Sequence, residues 1–123
     1  MEEFLGKEYK MVSEENFEQY LVHIGLNYIK RKIAVNTRPI QCLTRNADGK
    51  YKFTVHSSMF TWDMIFEPGV VFYTEKPDGG QIESLITFEG NVMTHKQWDK
   101  KGLTSVHVLE FTRDEVVTVR CCI

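Results

Sequence analysis

The sequence predicts an all-β fold, an up-and-down antiparallel β-barrel of nine strands with a pair of short helices after the first. Three observations carry that expectation. From Ile40 onward the chain falls into strand-length runs of alternating or β-branched residues. The runs are divided by turn-forming residues such as Asp48-Gly49, Pro68-Gly69 and Gly90-Asn91. No crossover helix separates the strands from Ile40 onward, which excludes a parallel α/β sheet. Closing the meander into a barrel removes its exposed edges.

The elements follow in order. Tyr9 to Val12 begins the first strand. Ser13 or Asn16 can cap a helix whose apolar face carries Phe17, Tyr20, Leu21 and Ile24, and Gly25 ends it. Tyr28, Ile29, Lys32 and Ile33 mark a second short helix, closed near Pro39, which biases Arg38 toward extended geometry. Strands are then expected at residues 40–45, 51–56, 60–66, 70–74, 81–88, 92–98, 104–112 and 116–123. The last two are joined through the charged Arg113-Asp114-Glu115.

Composition bounds the function. The 123 residues make one domain with one core, 42% hydrophobic and 26% charged. A net charge of −2 argues against nucleic acid as a partner. The first ten residues lack the apolar core of a secretion signal, and no run of uncharged apolar residues is long enough to span a bilayer, so a cytoplasmic protein is expected. Cys42, Cys121 and Cys122 fit reduced thiols, because neighbours on a strand point to opposite faces and cannot easily bridge. His23, His56, His95 and His107 show no metal spacing, and neither a nucleophile elbow nor a phosphate loop is present. No enzyme activity and no cofactor are expected.

The stretch FLGKEYKMVSEENFEQYLVHIG, followed by RKIA (31–34), Arg38-Pro39, DGKYKF (48–53), HSS (56–58), DGG, SLITFEGN and THKQWD (94–99), resembles the intracellular lipid-binding family. That family comprises the fatty-acid-binding and cellular retinoid-binding proteins. The likeness runs from residue 4 to about residue 112. It implies a barrel around a lipid cavity with the helix pair as its lid, one strand short of the family's ten. It also implies binding and transport of long-chain fatty acids or similar apolar molecules. The ligand contacts it implies are Phe17, Tyr20, Leu21 and Ile24 beneath the lid, Pro39, Met59 at the portal, and Gln97 in the cavity. Gln41 stands where some retinol binders carry lysine, which counts against a retinoid. Retinoid or bile-acid transport is the weaker alternative.

In the family the final strand carries an Arg-x-Tyr pair for the lipid carboxylate. Residues 116–123 can be aligned with it, putting Arg120 at the arginine and Cys122 at the tyrosine. They can also be aligned with the strand before it. Alternation favours the second alignment, with Val117, Val119 and Cys121 turned inward and no dependable carboxylate anchor. The family's second arginine aligns with Leu109 and a portal arginine with Gly80. His107, on the face of Leu109, is then a softer interior donor or a merely packed histidine. Lys30-Arg31-Lys32 resembles a basic patch for transient membrane contact or nuclear import, and a solvated helix face explains it equally well. A barrel missing a strand also leaves edges through which the chain can dimerise as an interaction module.

Overall fold

The computed structural model describes residues 1–10, 19, 22, 25–36, 39–46, 48–57, 61–75 and 80–122. A 3-10 turn at Glu2–Phe4 precedes β1 (Glu8–Lys10). Then come α1 (Tyr28–Asn36), β2 (Ile40–Arg45), β3 (Tyr51–His56), β4 (Thr61–Phe66) and β5 (Phe72–Glu75). The chain finishes with β6 (Gln81–Glu89), β7 (Val92–Asp99), β8 (Gly102–Phe111) and β9 (Val116–Cys122). The first predicted helix lies almost wholly outside the described residues; within it, Gln19 and Val22 are helical and exposed. The helix α1 starts where expected, because Asn27 Oδ1 accepts the Lys30 N–H at 2.9 Å and so satisfies one of the orphan donors of the first turn.

The strands form two antiparallel meanders, β1-β2-β3-β4 and β5-β6-β7-β8-β9. Hairpin chemistry accounts for this order. Gly49 holds φ +85° in the β2–β3 turn, a left-handed geometry that other residues adopt only with strain. Thr112 and Glu115 close the β8–β9 hairpin, with the Thr112 N–H donating to Glu115 O at 2.9 Å. One register shift interrupts the second sheet: Gln97 pairs Ser105 while Trp98 pairs Leu103. The bulge leaves both Thr104 and Ser105 buried in succession.

The facing sides of the two sheets make the core. Tyr9, Leu43, Phe53, Val55, Met64 and Phe66 meet Ile86, Met93, Leu109 and Phe111. Phe66 lies at the seam, with ring centroids 6.2 Å from Phe72 and 6.0 Å from Phe88. Several hydrogen bonds tie the sheets, among them Lys7 Nζ donating to Arg113 O at 2.6 Å. Tyr9 Oη donates to Thr112 O at 2.9 Å. Gly69 N–H donates to Ile86 O at 2.9 Å, and the terminal ammonium donates to Gly90 O at 3.0 Å. Among the described residues no backbone ladder joins β4 to β5 or β1 to β9.

The structure corrects the expected facing of β9. Val117 and Val119 are 47% and 42% exposed, whereas Thr118 is 3% exposed and points between the sheets. The hairpin dictates this parity. Phe111 is buried and pairs with Val116, so Val116, Thr118 and Arg120 take the inner face.

Candidate functional site

Inward-facing positions of the second sheet stack in cross-strand rows. Ser84, Gln97 and Ser105 form one row, and Ile86, His95, His107 and Arg120 form the next. Phe88, Met93, Leu109 and Thr118 follow, and Phe111 with Val116 ends the series. The inner face is therefore graded along the strands, polar at one end and apolar at the other. Alternation on β7 produces part of this, since Met93, His95 and Gln97 are buried while Lys96 between them is exposed.

The polar end is a connected network. Ser105 Oγ donates to Gln97 Oε1 at 2.7 Å. His107 Nε2 lies 3.2 Å from both Ser105 Oγ and Gln97 Oε1. On the other side of the ring, Arg120 Nη1 lies 2.6 Å from His107 Nδ1. A guanidinium can only donate, so Nδ1 is the acceptor and the ring hydrogen sits on Nε2, facing Gln97 Oε1. His107 is thus the neutral Nε2–H tautomer, held between an arginine and an amide.

His95 lies beside it with the two rings tilted and their centroids 5.3 Å apart, and it stacks with Phe72 at 6.2 Å. Burial, and secondarily the Arg120 charge, push His95 down to about 3. The ring is neutral at physiological pH. Its Nε2 is buried without a hydrogen-bond partner, as are Ser84 Oγ, Thr118 Oγ1 and Gln41 Nε2. Each such atom costs about 1–3 kcal/mol, which a polar group entering between the sheets can recover. An arginine, two imidazoles and unsatisfied hydroxyls at the end of an apolar face are suited to an amphipathic anion.

Of the residues singled out from the sequence, the structure brings Gln97, His107 and Arg120 together within hydrogen-bonding distance. Pro39 is fully buried just before β2. Phe17, Tyr20, Leu21, Ile24 and Met59 lie outside the described residues. Leu109, where the resemblance placed a missing arginine, is buried one row from the network, while the cation comes from Arg120 on the neighbouring strand. His95, Ser105 and Ser84 were not anticipated. The signal for them was present in the period-two spacing: His95 precedes Gln97 by two, and Ser105 precedes His107 by two.

No family model matches the chain. Individual relatives do. Fatty acid-binding protein homolog 1 of Echinococcus granulosus is 35% identical over 98% of this chain and 96% of its own length. The muscle fatty acid-binding protein of Schistocerca gregaria is 31% identical over 98% and 90% respectively. The crystal structure of a brain fatty acid-binding protein from Drosophila melanogaster superposes with a TM-score of 0.85 at 33% identity, covering 98% of this chain and 91% of that one. With this identity spread over nearly the whole of both chains, and the same fold, the chain belongs to the fatty acid-binding protein family.

Proposed function

We propose that the chain binds a long-chain fatty acid, or a related apolar carboxylate, between its two sheets and carries it within the cytoplasm as a single-domain, non-enzymatic transporter. The observation that carries this reading is the graded inner face of β6 to β9. Its polar rows offer Arg120, His107 and the Ser105–Gln97 pair to a carboxylate, and its apolar rows lead the tail toward Phe88, Met93, Leu109 and Phe111. Each buried methylene of the tail is worth about 0.8 kcal/mol, so the tail supplies affinity and the head supplies orientation. Phe17, Tyr20, Leu21 and Ile24 are assigned the underside of the lid, Met59 the portal, and Pro39 a further ligand contact. That assignment rests on the resemblance of their segments to the family.

The test is displacement of a fluorescent fatty-acid probe by oleate, with oleyl alcohol as the uncharged comparison. Displacement by oleate at micromolar concentrations is expected. Arg120→Gln removes a charge-assisted hydrogen bond worth about 1.5–3 kcal/mol, so oleate should weaken by roughly ten- to a hundredfold while the alcohol changes little. No displacement at any oleate concentration overturns the reading.

A second reading is favoured by β9. Its outer face carries Val117, Val119 and Cys121, all exposed, and no charged side chain. An apolar edge of this kind suits pairing with a second copy of the chain. Transient membrane contact is assigned to α1, where Tyr28 and Ile29 are exposed beside Lys30. The same basic patch is the basis for proposing nuclear entry as well.

A further inference from the structure

His107 accepts from Arg120 the kind of hydrogen bond that a carboxylate would also accept. The guanidinium of Arg120 donates to Nδ1 at 2.6 Å, so the imidazole serves as an internal acceptor for the arginine. The opposite nitrogen cannot easily give up its hydrogen. Nε2 faces Gln97 Oε1 at 3.2 Å, and that oxygen also accepts the Ser105 hydroxyl at 2.7 Å. Shifting the ring to its other tautomer would set a nitrogen lone pair against the amide oxygen.

An incoming carboxylate competes for the same guanidinium hydrogens and, as an anion in two-pronged geometry, competes well. Once it does, the Nδ1 lone pair is left beside a carboxylate oxygen, acceptor against acceptor. With Nε2–H held by Gln97, the contact becomes attractive only when Nδ1 gains a hydrogen. Among the described residues, the charged and titratable groups seen facing His107 are Arg120 from β9 and His95 from β7. Beside them stand the neutral Gln97 of β7, Ser105 of β8 and Ser84 of β6, and Phe72 of β5 lies against His95. No aspartate or glutamate is among the buried residues described.

We propose that a fatty-acid carboxylate enters this network together with one proton, which His107 Nδ1 takes up as the carboxylate replaces it at Arg120. The inference rests on the carrier reading above and deepens it. The proton comes from solvent. One N–H bond forms, the carboxylate stays ionised between guanidinium and imidazolium, and no bond to carbon changes. His95 remains the neutral ring beside His107. The site thus selects carboxylates by a proton-coupled pair, arginine with histidine, and holds them more tightly as the pH falls.

The test is calorimetric titration of the whole chain with dodecanoate near neutral pH, in buffers of different ionisation enthalpy. Observed enthalpy should vary with buffer in the sense of uptake of about one proton per ligand. Affinity should then fall by up to about tenfold for each pH unit of increase. Dodecanol should bind with no proton exchanged. His107→Gln should bind dodecanoate more weakly, through Arg120 and the tail alone, with the buffer dependence gone. A second reading comes from carboxyl-labelled dodecanoate on the unaltered protein, whose 13C shift should report an ionised carboxylate.

Binding of dodecanoate with no proton uptake overturns the inference and leaves the carrier reading standing. So does uptake that persists in His107→Gln, or a 13C shift of a protonated acid, because the ligand would then hold the proton. Failure of both dodecanoate and dodecanol to bind overturns the carrier reading, and this inference with it.

Discussion

His95 illustrates how a single buried side chain shapes both stability and site. Its Nε2 has no hydrogen-bond partner, and burial with the Arg120 charge holds it near 3, against an ordinary 6.5. The unfolded imidazole therefore takes a proton that the folded one refuses. Stability contributed by the neutral ring is fully present above pH 6.5 and is lost as the pH falls toward 3, at up to about 1.4 kcal/mol per unit. Urea unfolding of the native chain and of His95→Leu should show this as a difference in slope, steeper for the native chain between those limits. Parallel slopes would mean that the ring is protonated in the fold. At this scale the sequence was partly legible. Gln97 and His107 could be placed inward from resemblance and alternation, yet His95 and Ser105 were passed over. A search for metal or catalytic spacing sees residues close in sequence, whereas this network is assembled across strands by register.

The strand β9 shows what element-level reasoning can and cannot reach. Its length and hairpin partner were legible, because alternation and the Arg113-Asp114-Glu115 turn define them. Its facing was misjudged because apolar valines were assumed to point inward. On an edge strand the hairpin register decides, and the burial of Phe111 opposite Val116 turns Thr118 and Arg120 toward the core. Counting outward from that one pair would have given the right face. At the same end of the sheet β1 is held by Tyr9, whose ring meets Phe111 edge-on at 5.8 Å and whose hydroxyl donates to Thr112 O at 2.9 Å. That contact links the first strand to the hairpin carrying Arg120. Tyr9→Phe keeps the ring and removes the donor, so chemical unfolding should register a loss of about 0.5–1.5 kcal/mol. Fatty-acid affinity should fall by less than for Arg120→Gln. A neutral effect would mean that the hydroxyl bond adds nothing beyond ring packing.

The order of the strands was legible because each turn motif joins neighbours in sequence, but division into two sheets was not. Turn chemistry specifies which strands are adjacent, and it says nothing about whether their backbones form a ladder. Between β4 and β5 the Gly69 N–H goes to Ile86 O on β6, and among the described residues no ladder spans that seam. The outer strands consequently differ in how well they resist association. Glu8 and Lys10, both exposed, flank Tyr9 on β1, and charge at an edge discourages pairing. On β9 the exposed residues are Val117, Val119 and Cys121, and across from them Val108 is also exposed, paired in register with Val119. An apolar strip therefore runs along β9, which among the described residues is paired on one side only, with β8. If two copies pair there, sedimentation equilibrium should show a concentration-dependent dimer. Val119→Lys should shift it toward monomer without weakening fatty-acid binding, because residue 119 faces away from Arg120 and the interior. A native chain that stays monomeric at high micromolar concentration while binding oleate would sink the dimer reading and leave the carrier alone. A dimer that Val119→Lys does not perturb would mean that another surface holds it.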